Sequence, residues 1–242
     1  MRTFSPTPRR QLKQRQIGFT LVELGVVLLV IGLLLGAAAI GRDLQRGAAN
    51  QRLSTDFVQG WQLAYEAYYN GVGRPPGDAA ANPTGQVNGI TAPAGTRLCG
   101  AAMVNAFLAA GVRVPEGRAN GQPDRAVYLD SNGNPQEVQV CFQNVNWAEP
   151  GPALGNFVTR PRNVMVLAGV TYSLVSMLDQ QIDGRSDARF GRLRDESLAN
   201  AIATVVGTVW PIDDRMTFGT TVINTRDEDQ VAVTTALFQM TR

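Results

Sequence analysis

The chain has 242 residues, of which 22 are basic and 20 acidic for a formal net charge of +2, and it contains no histidine. A nucleophile–histidine triad, with serine or with cysteine, is therefore excluded within one chain. Residues 1–18 hold Arg2, Arg9, Arg10, Lys13 and Arg15 with no acid, which leaves residues 19–242 with 17 basic and 20 acidic groups. That remainder is net negative, so composition offers no case for nucleic-acid binding.

An apolar run follows the basic segment. From Leu24 to Ile40 no residue is charged, and eleven positions are Leu, Ile or Val. Near a bilayer centre each contributes about 0.3–0.6 kcal/mol, roughly 3–7 kcal/mol together. Glu23 heads the run. A central acid costs about 2.5–3.5 kcal/mol and one near the headgroups less, so the segment can insert despite it. About 20 helical residues suffice to span. Basic residues beside a span keep that end in the cytoplasm, which predicts a single-pass inner-membrane protein with its larger part in the periplasm. A secretory signal is cut after its apolar core. Here the convincing cleavage site, Gly18, precedes the core, so the apolar segment survives processing; an uncleaved signal anchor is the plainer alternative.

Gly18-Phe19-Thr20-Leu21-Val22-Glu23, between a basic leader and a glycine-punctuated apolar helix, resembles the class III signal of type IV prepilins and type II secretion pseudopilins. The likeness covers about 40 of 242 residues, and its order is highly specific. Gly25 stands where that family often has Met, and Ile40 where many members kink the helix with proline. The resemblance implies cleavage by prepilin peptidase between Gly18 and Phe19, N-methylation of Phe19, and assembly through Glu23. It implies as partners other pilin subunits in a homo- or hetero-filament, the peptidase, an inner-membrane assembly platform, and lipid before assembly. The implied function is a structural subunit, major or minor, of a type IV pilus-like filament at the cell surface. A type II secretion pseudopilin, working as a periplasmic piston, is the alternative, and a membrane-anchored periplasmic binding or enzymatic domain a remoter one. No enzyme activity, cofactor or metal is expected.

In chain order, residues 1–18 read as leader, 19–41 as the membrane and filament-core half of a long helix, and 42–70 as its amphipathic half. In the latter, Leu44, Leu53, Phe57, Trp61, Ala64, Tyr65 and Tyr68 recur at helical spacing, and Asn70-Gly71, Gly73, Pro75 and Pro76 stop the helix. Gly25, Gly32, Gly36 and Gly41 permit close helix approach, and each lowers helix propensity by about 1 kcal/mol relative to Ala. The filaments of the resembled family imply a loosened Gly32–Gly41 stretch; plain tolerance of glycine in a span is the other reading.

Residues 71–242 are expected to form one α+β domain, a pilin-like antiparallel sheet laid on the helix. Residues 71–96 read as a connector. Residues 97–110 read as a short helix with Leu98, Ala102, Ala106 and Ala110 on one face, ended by Gly111. Asn132-Gly133 predicts a hairpin between Ala126–Asp130 and Gln136–Val145. A loop is expected through Pro152, and a second helix carrying Val170, Leu174, Met177, Leu178 and Ile182, closed by Gly184. The stretch Leu178-Asp-Gln-Gln-Ile-Asp-Gly184, with Gly191 and Arg194, resembles a recurring segment of larger prepilin-like proteins. Leu198–Val209 fits strand or helix, and Met216–Ile223 with Val231–Met240 reads as a terminal hairpin.

Cys99 and Cys141 are the only cysteines, and an even pair in an exported chain favours a disulfide. Strand alternation places Cys141 on the polar face, which puts the bridge at a sheet edge. Asp179, Asp183 and Asp187, then Asp213-Asp214, then Asp227-Glu228-Asp229 form acid clusters of the kind that can hold calcium. None has a specific ligand spacing, and solvated turns are the expectation for each.

Overall fold

A computed structural model describes residues 18, 20–90, 96–118, 121–153, 155–202, 207–217 and 230–241, without the side chains of 38–40, 42 and 43. It divides into two compact units, residues 1–45 and 46–242. In the first, the described structure is the opening part of helix α1 (Leu21–Arg52).

In the second unit the helix passes through a π-helical turn, Leu53–Val58, into α2 (Gln59–Val72). Leu53, Phe57, Trp61 and Tyr65 are all buried and all four residues apart. At 3.6 residues per turn such a row would swing about 40° off the core at each step. The wider i→i+5 turn counters that drift and keeps the row facing inward. It also buries Ser54, whose hydroxyl donates to Gln181 Oε1 at 2.6 Å, while Gln181 Nε2 donates to Gln51 Oε1 at 2.6 Å. Gly73, in the left-handed region at φ 78°, ends α2, its N–H donating to the Tyr69 carbonyl.

The rest supplies β1 (Leu98–Cys99), α3 (Gly100–Ala109), β2 (Arg125–Leu129), β3 (Pro135–Pro150), β4 (Phe157–Val170), α4 (Tyr172–Asp183), β5 (Leu193–Asp195) and β6 (Thr234–Gln239). The strands form one antiparallel sheet, ordered β1-β3-β4-β6-β5, with β2 also paired to β3. The architecture is α+β. Even-numbered residues of β3, Val138, Val140 and Phe142, join Met165, Leu167, Ala236 and Phe238 in a core with α2, α3 and α4. Its centre is aromatic: Trp61 stands edge-on to Phe107 with centroids 5.5 Å apart, and Phe107 stacks on Phe142 at 5.6 Å. The opposite face carries a second cluster of Cys141, Val145, Trp147, Val164, Val166, Ala199 and Leu237.

Several expectations need correction. Cys141 does not lie on a polar face; it is 2% exposed in that second cluster, because the reverse of β3 is covered too. The edge position does hold, since Cys99 on the edge strand β1 pairs directly with Cys141 and the disulfide is formed. Leu98 and Cys99 are strand, and α3 buries Met103, Val104 and Phe107 rather than its alanines, since the larger side chains gain more by burial. Residues 157–170, left unassigned by the sequence apart from Val170, form β4, a long central strand, and Val170 ends it rather than opening α4. Described residues of 198–209 form neither strand nor helix. Val231–Met240 finds its main partners in β4 and β5, with a single antiparallel bridge between Thr217 and Val231; residues 218–229 lie outside the described residues.

The disulfide closes a separation of 42 residues. The chain-entropy model assigns a loop of that size about 4 kcal/mol, and measured bridges commonly give about 2–4 kcal/mol. Replacing both cysteines with serine is expected to lower the unfolding free energy by an amount in that range, with a lower urea midpoint and a larger m-value as the unlinked denatured chain expands. An unaltered midpoint would refute a stabilising role.

Candidate functional site

Of the residues singled out at the head of the chain, Gly18 and Glu23 are described, and Phe19 lies outside the described residues. Glu23 is the third residue of α1 and exposed. It forms a capping box with Thr20: the Glu23 amide donates to Thr20 Oγ1 at 3.2 Å, and the Thr20 amide donates to Glu23 Oε2 at 3.5 Å. The carboxylate therefore sits among the unpaired amides of the helix start, where the helix dipole favours negative charge. Thr20 is legible in the sequence, since Thr-x-x-Glu before an apolar run is the signature of this cap, but attention to Glu23 alone passes it over.

Every residue from Leu21 to Ala37 is exposed, and the Leu, Val and Ile side chains between Leu24 and Leu35 are each 45–67% exposed. Successive helical residues point about 100° apart, so Leu28, Leu29, Val30 and Ile31 cover all sides of the axis. This is unlike α2, which buries one stripe of Trp61, Ala64, Tyr65 and Tyr68. Helix α1 continues through Gly25, Gly32, Gly36 and Gly41, and a Cβ at any of them would meet nothing within 4 Å. Among the described residues no helix is long and apolar enough to cross a membrane. The described side chains of the run number 17 from Leu21 to Ala37, about 26 Å of helix against a hydrocarbon core of about 30 Å.

The acid clusters of the second unit turn out to hold loops. Asp183 accepts from the Arg192 and Leu193 amides, at 2.8 and 2.9 Å. Asp187 accepts from the Arg189, Phe190 and Thr208 amides. Asp179, fully buried, accepts through Oδ2 from the Asp187 amide at 2.7 Å and from Trp210 Nε1 at 3.1 Å. Burial, with Asp183 nearby, pushes its carboxyl up to about 7. Asp214 accepts from the Ser173 amide in the first turn of α4, and Asp213 pairs with Arg215. Among the described residues no group of three acids, cysteines or histidines is placed to hold a metal ion, and Asp227-Glu228-Asp229 lie outside them.

Gly191 and Arg194 acquire specific roles in that loop. Gly191 has φ 89°, and a Cβ there would overlap the Asp183 carboxylate. Arg194 lies over the Trp147 ring at 4.2 Å and donates to the Ala148 and Gly191 carbonyls at 2.7 and 2.9 Å. Burial brings its guanidinium down to about 10. A groove of about 550 Å³ runs between α2 and residues 110–115, walled by Leu63, Ala67, Val112, Val114 and Pro115, with Asp56 and Arg113 as its charged groups. It lacks the convergent polar groups of a ligand site.

Comparison with protein-family models, with curated proteins and with solved structures gives no match.

Proposed function

We propose that the protein is a pilin-like structural subunit of a type IV pilus-like filament, processed by prepilin peptidase and assembled through its first helix. The observation that carries this reading is the stretch of α1 from Leu21 to Ala37, apolar on every side, exposed throughout and headed by one carboxylate. Such a surface is unstable in water and needs lipid or other helices around it. The sequence extends the run to Ile40, and the 20 residues from Leu21 make about 30 Å of helix, enough to cross a bilayer.

Cleavage after Gly18 would free an amine at Phe19. Glu23 of one subunit then pairs with that amine on a neighbour, within lipid. A buried pair contributes register more than raw stability, so docking is favoured in one alignment and disfavoured in others. The capping box is compatible with this role, because it holds the carboxylate at the end of the helix from which the amine would approach. The glycines with nothing against them leave flat strips along α1 where a second helix can come close.

Intact mass spectrometry of the chain recovered from its native membrane tests the processing step. The expected species starts at Phe19 and carries one added methyl, and a Gly18→Ala chain retains residues 1–18. A native molecule that keeps its leader and remains solitary would overturn the reading.

A further inference from the structure

We propose that the Asp179 carboxyl keeps a proton in the folded chain and donates it to Asp183, and that this hydrogen bond is the clasp holding the loop of residues 184–192 against α4. The two carboxyls stand one helical turn apart on α4, within hydrogen-bonding reach of each other. Asp179 Oδ2 is saturated by two donors, the Asp187 amide and the Trp210 indole. Asp179 Oδ1 is buried and has no donor. As a carboxylate oxygen it would be an unmet buried acceptor beside a second negative group, a costly arrangement. Protonated, Oδ1 becomes a donor for which the Asp183 carboxylate is a neighbouring acceptor, and both problems vanish together.

What the pair holds is a single loop attached at both ends. Asp179 grips it at Asp187, and Asp183 grips it at Arg192 and Leu193. Between them the chain bends at Gly191, against the Asp183 carboxylate. Immediately beyond, Arg194 covers Trp147. Asp187 of the loop faces Asp179, Arg194 of β5 faces Asp183, and Arg189 of the loop and Glu149 of β3 lie in turn beside Arg194. The Asp187 carboxylate is turned to amides of its own loop and to Thr208. Arg192 is drawn away, its guanidinium over the Phe238 ring and donating to the Gln239 carbonyl. Arg194 is attracted to Asp183 but committed to three carbonyls and a ring. None of these cations meets Asp179 Oδ1.

The direction of the pH effect follows. The folded chain keeps on Asp179 a proton that the unfolded chain releases above about pH 4. Stability therefore falls as pH rises from there through about 7, and is flat beyond. The relief available to the ionised pair is to let the loop lift and admit water.

The test is hydrogen exchange on the full chain in detergent, read as protection of the Asp187, Arg192 and Leu193 amides and the Trp210 indole. Between about pH 5.5 and 8.5 the wild-type protection is expected to drop at least about tenfold, since one unit of pKa shift is tenfold in equilibrium. In Asp179→Asn, whose amide donates permanently where the carboxyl proton did, protection stays constant over the same range. In Asp183→Asn the drop moves to lower pH, which a merely structural contact would not produce. Constant protection in the wild type, or the same drop in Asp179→Asn, overturns the proposal. Should either variant fail to fold, the ¹³C carboxyl titration of wild-type Asp179 decides: a midpoint about 7 supports the retained proton, and one about 4 refutes it.

Discussion

Glu23→Ala and Glu23→Gln chains are both expected to insert in the membrane at wild-type level and to form no filaments. Alanine removes one acid from the head of an apolar run, so insertion can only become easier. The glutamine variant is the sharper probe. A capping box accepts Gln in place of Glu, so the contacts with Thr20 survive while the charge is lost. If the side chain served only to cap α1, Glu23→Gln would assemble normally. If it meets the amine of a neighbouring subunit, Gln fails as Ala does. Filament yield by shearing and electron microscopy, set against membrane-fraction abundance, distinguishes the two, and normal filaments from either variant would sink the assembly mechanism.

Trp61→Ala is expected to destabilise the second unit by about 3–5 kcal/mol, the usual cost of deleting a large aromatic from a packed core. Trp61 is fully buried, stands edge-on to Phe107 and faces Phe142 at 6.3 Å. Its Nε1 donates to the Pro123 carbonyl at 3.2 Å, so truncation opens a cavity and removes that donor at once. Against a total stability of about 5–15 kcal/mol this is a large share. Leu63→Ala, on the same helix but 64% exposed, is the control and should fall within about 0.5 kcal/mol of wild type. Urea unfolding of the full chains measures both. Equal midpoints would mean that the row through Leu53, Phe57, Trp61 and Tyr65 does not anchor the helix to the sheet.

Much of the second unit is legible in its residues alone. The stripe on α2, its stop at Gly73, the Asn132-Gly133 hairpin and the close of α4 at Gly184 are local signals. Each is a spacing or a glycine whose backbone conformation few other residues adopt, as φ 88° at Gly133 and 76° at Gly184 attest. Strand β4 escapes a local reading. Phe157–Val170 includes Thr159-Arg-Pro-Arg162, whose charges and proline disguise a strand. Its membership is settled by pairing, to β3 from Pro150↔Phe157 out to Gln139↔Ala168 on one side and to β6, far along the chain, on the other. The environment of Cys141 is hidden for a related reason. Alternation tells which residues share a face, and does not tell whether the other face is also covered. The acid clusters read as solvated turns; Asp183 and Asp187 do hold loop amides, but Asp187 is buried and Asp179 lies buried within α4, which spacing cannot show.

The sequence alone determined the pattern at the head of the molecule: a basic segment, Gly18, Thr20 and Glu23, then an apolar run. That pattern needs no partner in its own chain, because a helix polar nowhere around its circumference is specified residue by residue. Only the tertiary structure decided the two-sided sheet, the π-helical turn that keeps one apolar row inward, and the carboxyl pair beneath the Gly191 loop. Those features depend on which distant segments meet, and the free energy of burying a face or a charge is fixed by what lies against it.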